Sequence, residues 1–299
     1  MLPTHNRYGY TKIEDRPVYD WPSGKRLAFY VGTNIEYFAF LKGDGALDNA
    51  VINAKQTHRN YAWRDYGLRV GLWRLFNVLD ELKLAAAHNT NSLIYEVRPD
   101  IPERIRARGD EIIGHGRTNS EHHEHMWEGD EARIIKEVTD TITRHEGKPP
   151  RGWMGAGLAE TPVTPDLLKE AGYTFVMDWP CDDQPFWMQT RSGPLLSVPY
   201  PIEINDGPAV ARRQHTARDF ADMIVDQFDE MIRQCVDQPL VCAVALHPFI
   251  TGQPFRLNPL REALRHCINH KHKDRVWWTL PGKIAEFCYA QPEGVITHG

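Results

Sequence analysis

The stretch Arg26–Phe38, RLAFYVGTNIEYF, decides how the rest of the chain is read. Its first half is a short apolar run with the composition of a buried strand. Its second half turns polar, with Asn34 and Glu36 two residues apart. Side chains alternate along a strand, so these two share one face at the strand's end. Taken alone, Glu36 reads equally well as a terminal carboxylate bonded to backbone and as a general base or metal ligand. The other strand ends tip the balance toward chemistry.

The transition from apolar strand to polar end recurs in EIIGHGRTN (111–119), TFVMDWPCDD (174–183) and LVCAVALHPF (240–249). Between the strands lie amphipathic segments. GLWRLFNVLDELKL (71–84) places Leu72, Leu75, Phe76, Leu79 and Leu82 on one helical face. Further helices are expected over 98–110, 129–150, 164–173, with Thr164 as N-cap, 216–236, 258–271 and 281–290. AAAHNTN (85–91), RGWMGAG (151–157), LLSVPYPI (195–202) and RVWWTL (275–280) complete the strands. Strand followed by helix, repeated, means βα units around a mostly parallel sheet, most simply a barrel. In parallel barrels the functional groups sit just past the C-terminal strand ends, which is the first reason to expect an enzyme.

At 299 residues, the chain suits one α/β barrel with decorations. An N-terminal arm over residues 1–25 and a barrel over residues 26–299 are expected. Hydrophobic residues make up 41% and charged residues 25%, ordinary for a globular protein. A net charge of −5 argues against a nucleic-acid binder. No apolar leader precedes a cleavage site, and no run reaches membrane length. The five cysteines are odd in number, scattered and without a CxxC pair, so a cytoplasmic protein with reduced thiols is expected.

His115 follows a strand and is flanked by glycines, and its natural metal partner four residues on is Asn119, a poor ligand for zinc. His122, His123 and His125 follow in a run that also reads as a polar loop entering a helix. His247 closes a strongly apolar strand before a proline, where an imidazole can serve as acid or base near neutrality. Asp182 and Asp183 lie among prolines and aromatics; they could orient a polar substrate or simply cap a turn. The glycines around Trp153 allow close backbone approach, useful at an oxyanion or in packing. There is no GxSxG and no phosphate-binding loop.

NIEYF, EIIGHG, RGWMGAG, MDWPCDDQPFWM with LLSVPYPIEIND, and ALHPFITGQPFR together resemble the polysaccharide deacetylase (NodB-homology, carbohydrate esterase 4) superfamily, closest to its allantoinase-like and cyclic-imide-hydrolase branch. The resemblance runs from about Arg26 to about Ala290. It implies a deformed (β/α)7 barrel, a small-molecule substrate, hydrolysis of a non-peptide C–N bond and a candidate homo-oligomer. The superfamily's Asp–Asp pair reads Thr33-Asn34-Ile35-Glu36 here, its His-x-x-x-His reads His115 with Asn119, and its last histidine is His247. The usual zinc triad is thus changed, as it is in some allantoinase-like members, and a metal-free centre is expected.

In that centre Glu36 activates or orients water and His247 protonates the leaving nitrogen. His115, Asn119 and the backbone amides near Trp153 polarise the carbonyl. Asn34, Asp182, Asp183 and Trp187 contact the substrate's polar edge and ring. Two alternatives stand beside this one. Glu36, His115 and His122 could hold zinc for a deacetylase of N-acetylated carbohydrates, or the barrel could bind a small molecule without turnover.

Overall fold

The structure is a computed structural model describing Leu2, residues 4–41 and residues 57–299. Met1 and Pro3 of the expected arm lie outside the described residues. The strands are β1 (Leu27–Ile35), β2 (Ala86–Thr90), β3 (Glu111–Gly114), β4 (Gly152–Trp153), β5 (Phe175–Val176), β6 (Phe186–Met188), β7 (Leu195–Ser197), β8 (Leu240–Leu246) and β9 (Val276–Trp278). The helices are α1 (His58–Tyr66), α2 (Leu72–Leu82), α3 (Ile94–Val97), α4 (Asp100–Arg108), α5 (Glu128–Glu146), α6 (Thr164–Glu170), α7 (Ala217–Gln234), α8 (Pro254–Asn269) and α9 (Pro281–Tyr289).

One sheet runs β6-β7-β5-β4-β3-β2-β1-β8, with β9 also on β1. β1 is its hub. β8 lies along one edge of β1 from Leu27 to Thr33. β9 at Leu27–Phe29 and β2 at Val31–Ile35 share the other. Every pairing is parallel except β6 with β7. The sheet curls until its far end meets β8, where the amides of Val241 and Ala245 donate to the carbonyls of Asp183 and Ile204. This is the deformed α/β barrel expected from the sequence.

Strand parity separates two cores. Ala28 and Tyr30 of β1 point inward with Ile113, Phe175, Leu196, Val241, Ala243 and Ala245. Leu27, Phe29 and Val31 point outward with Leu240, Cys242, Val244 and Leu246, against α2, α7 and α8. Because both faces of β8 are covered, all seven of its residues are buried, which is why it reads as an unbroken apolar run. Each such aliphatic or aromatic side chain contributes about 1.5–3 kcal/mol on burial. α7 begins in a reciprocal cap: Asp219 N donates to Thr216 Oγ1 at 3.1 Å and Thr216 N to Asp219 Oδ2 at 2.8 Å.

Two local expectations change. Thr164 is not the N-cap of α6 but its first residue, and Val163 holds the cap position. The Thr164 hydroxyl points to Glu131 and Thr161 instead, where a buried carboxylate needs donors. The segment after β5, expected as a polar strand end, reverses into β6, the antiparallel strand. The arm lies on its own barrel, tied by Arg7 to Asp166 at 2.6 Å and by Arg16 to Asp182 at 2.7 Å. No helix among the described residues is long and apolar enough to cross a membrane.

Between α1 and α2 a single π-helical turn, Gly67–Gly71, rests on the loop after β8. A Cβ on Gly71 would fall 2.0 Å from the Pro248 carbonyl, and one on Gly252 would fall 2.4 Å from the Gly71 Cα. Backbone meets backbone beside His247, so neither side can yield without moving the loop. Gly71→Ala is expected to cost at least the 1–3 kcal/mol, roughly, of ordinary overpacking. Urea unfolding measures this, and a variant as stable as the parent would show that the contact is slack.

Candidate active site

The inward parity of the strands continues one or two residues past their C-terminal ends. It sets Glu36 after β1, His115 after β3 and His247 after β8 around one cavity of about 290 Å³, with Tyr200 beyond β7. Glu36 Oε1 lies 3.6 Å from His115 Nε2 and 3.5 Å from His247 Nε2, and its side chain is 7% exposed. These are charge contacts, longer than hydrogen bonds.

Each imidazole is held from behind. His115 Nδ1 donates to the Met154 carbonyl at 2.5 Å, and its Nε2 is buried without a hydrogen-bond partner. His247 Nδ1 faces Asp206 Oδ1 at 2.7 Å. Asp206 also accepts the His247 amide at 2.9 Å on both oxygens and takes the Thr251 hydroxyl. Burial alone would neutralise His247, but the Glu36 and Asp206 carboxylates outweigh it and push its pKa up to about 10. Burial would likewise raise Glu36; the His247 charge and the His115 ring override it and hold the carboxyl well below the usual range. Near neutral pH, then, the pair is a carboxylate beside an imidazolium.

Asn119 Oδ1 accepts from Asn91 Nδ2 at 3.0 Å, and the same Asn91 amide also donates to the His115 carbonyl. That leaves Asn119 Nδ2 as the end of its amide available to the cavity it lines. Asn34, beneath Glu36, is bonded to Tyr200 Oη at 2.9 Å and to Asn89 at 3.0 Å.

A tetrahedral zinc with bonds of about 2.1 Å needs every pair of donor atoms about 3.4 Å apart. Two imidazoles and a carboxylate are chemically apt, and Glu36 meets the distance to each ring. The rings do not meet it to each other. Among the described residues, the group whose ligand atoms all lie within 4.8 Å of one another is Asp229, His266 and His270, a possible metal site on α7 and α8 at the outer surface. Neither His247 nor His122 completes such a group with Glu36 and His115. A single carboxylate oxygen stands where an ion would, so the residues as placed do not fit zinc and no step below passes through one.

The sequence run after His115 divides. His122 lines the cavity, while His123 is buried with its Nδ1 3.3 Å from Glu131 Oε1, and His125 is exposed. Trp153 does not reach the site. It has outward parity and packs with Ile134, Ile135 and Tyr173. The amides after it are taken as well: Met154 N donates to Gly114 O, and Gly155 N to Asp178. Asp182, Asp183 and Trp187 are likewise elsewhere. Asp183 O accepts from Val241, six residues before His247 on β8, a run of about 20 Å. Asp182 is spent on Arg16, and Trp187 stands edge-on to Tyr289 at 4.8 Å. Asp182 and Asp183 line a larger groove, about 670 Å³, between arm and sheet seam. Size alone favours that groove, but the anchored ionisable groups are in the smaller cavity, and we take that one as the site.

Sequence reasoning missed Asp206, Tyr200 and Arg64. Asp206 lies in IEIND, but nothing in its spacing says that it meets a residue 41 positions on.

No family model matches the chain. Over 287 residues it is 25% identical to a provisionally named polysaccharide deacetylase of Schizosaccharomyces pombe, covering 88% of this chain and 85% of that one. The crystal structure of the Puue allantoinase superposes with a TM-score of 0.82 at 24% identity, covering 91% of this chain and 93% of the other. A probable polysaccharide deacetylase from Pseudomonas aeruginosa PAO1 superposes at 0.79, with 24% identity and the same coverages.

The charge pair predicts the pH dependence of stability. The Glu36 contribution is complete above the ordinary carboxylate value of 4.5 and is lost as pH falls through its depressed folded value. The His247 contribution is complete below 6.5 and is lost as pH rises through about 10. Thermal unfolding across pH should therefore show these two stabilising most between about 4.5 and 6.5. Asp206→Asn should move the alkaline loss to lower pH; an unmoved limb would remove Asp206 from this role.

Proposed function

We propose that this homologue of the polysaccharide deacetylases hydrolyses a non-peptide C–N bond in a small cyclic amide, ureide or cyclic imide. The observation behind this reading is the single carboxylate oxygen facing two imidazole Nε2 atoms, both anchored from behind, in the 290 Å³ cavity. Glu36, His115 and His247 are its catalytic residues.

Water placed against Glu36 attacks the carbonyl carbon, and its proton passes to the carboxylate. A carboxyl held so acidic is a poor proton acceptor at rest, so Glu36 first orients the water. The oxygen that gains charge faces Asn119 Nδ2 and the His115 ring. His247 Nε2–H then protonates the nitrogen as the C–N bond breaks. That same loss relaxes the hold on Glu36, which can return its proton to His247 across 3.5 Å. Water and amide become acid and amine, with both residues restored. A positioned acid or base is worth about 10²–10⁴ in rate and an oxyanion donor about 10²–10³. Those factors suit a strained or activated amide better than an ordinary acetamide.

The names of the yeast and Pseudomonas relatives support a second reading, removal of an acetyl group from an N-acetylated sugar. A cavity of about 290 Å³ suits a ring-sized molecule rather than a polymer chain. The test is hydrolysis of allantoin, hydantoins, dihydropyrimidines and N-acetylglucosamine oligomers by the whole protein. We expect turnover of a cyclic compound. Glu36→Gln and His247→Ala should each lower kcat by about 10²–10⁴, and full activity in Glu36→Gln would refute the assignment. Chelation should leave the rate unchanged. Metal content alone does not decide this, since the outer Asp229–His266–His270 group could retain an ion.

A further inference from the structure

We propose that the same cavity contains a carboxylate-binding site built on Arg64 and Arg212, so that the molecule cleaved beside Glu36 carries a carboxylate in addition to its scissile amide. The proposal rests on the hydrolytic reading above and names its substrate class.

Arg64 projects from α1 into the cavity. Its guanidinium carbon lies 4.0 Å from the centroid of Phe38 and 5.1 Å from that of Phe249. Each ring stands two residues past a catalytic group, Phe38 after Glu36 and Phe249 after His247. The cation is therefore fixed relative to the reacting centre. Among the described residues no carboxylate lies within 4.0 Å of it, and its Nε is buried with no hydrogen-bond partner. Arg7, Arg16 and Arg108 are equally well covered and are paired with Asp166, Asp182 and Asp110, while Arg256, which has no ion pair among the described residues, donates to the Ile250 carbonyl. A covered charge left single is costly unless something supplies its counter-ion.

Arg212 lines the same cavity from the turn after Asp206, exposed and without an ion pair among the described residues. The charged groups that line the space are Glu36 against His247, Arg64 and Arg212, with Asp206 behind His247 and Arg256 near Asp206. The balance is positive, which favours an anion. A guanidinium stacked between two rings keeps its N–H edge free in plane, the geometry that takes a carboxylate through two parallel hydrogen bonds.

The plainer account makes Arg64 a packing group, its charge satisfied by the rings alone. Two rings that differ only in a carboxylate separate the accounts: dihydrouracil and dihydroorotate, titrated calorimetrically into the whole protein at millimolar concentration. The wild type should bind the carboxylate ring about ten- to a hundredfold tighter, the size of a charge-assisted hydrogen-bond pair. That ratio should fall to near one in Arg64→Gln, fall partway in Arg64→Lys, and fall severalfold in the surface variant Arg212→Gln, which does not threaten folding. Equal binding of the two rings, no binding of either, or a ratio that survives Arg64→Gln would each overturn the proposal. Inorganic phosphate displacing the carboxylate ring more strongly than acetate would overturn the carboxylate assignment. Hydrolysis is not read in this experiment, so loss of the C–N hydrolase assignment and loss of the anion site remain distinguishable.

Discussion

Everything at the mouth of this barrel depends on a period of two. A side chain that follows an inward-facing strand residue by two positions faces inward again, provided the strand stays straight for one more step. β1, β3 and β8 obey this, carrying Tyr30, Ile113 and Ala245 in the core and Glu36, His115 and His247 above them. The core sets where these three groups stand, and the loops only complete them. A one-residue slip of β8 against β1 would send His247 outward and leave Glu36 facing apolar carbon.

How much of this was legible follows from the same rule. β1 and β8 are long, with nine and seven residues, so their parity can be counted and their polar ends weighed together. β4 and β5 have two residues each, too short to show which side chain faces in. The sequence therefore cannot place Trp153, which belongs to the outer layer. The Asp182–Trp187 segment failed for another reason. Prolines and paired acids suggest a site rim, and nothing local reports that the chain will reverse into an antiparallel strand. The histidine run was suggestive for metal, yet the helix behind it supplies Glu131, and His123 turns to that carboxylate instead. Asp206 and Arg64 were invisible because their partners are set by the curl of the sheet and by helix packing, neither of which has a short-range signature.

The polar groups behind the site are arranged in depth. Asp206 takes four hydrogen bonds from three donors of one loop: the His247 amide on both oxygens, the His247 ring and the Thr251 hydroxyl. It fixes the direction of the ring and supplies part of its charge. Asn91 does the corresponding work on the other side, joining the His115 carbonyl to the Asn119 amide. Such networks are strong when complete and costly when broken, because the low-dielectric surroundings amplify both outcomes. The orphaned His115 Nε2 is the group left for whatever enters the cavity.

The sheet also ends in an unusual way. β6 is its last strand, and its outer edge is met by segments from both ends of the chain: Gln189 N donates to Arg7 O and Trp187 N to Thr297 O, while Gly9 N donates to His298 O. An uncovered last strand would offer its amides to any extended peptide in solution and invite stacking of one molecule onto the next. Here that template is met within the molecule by both chain ends, which together guard this edge against self-association through the sheet, a duty separate from the chemistry proposed for the cavity.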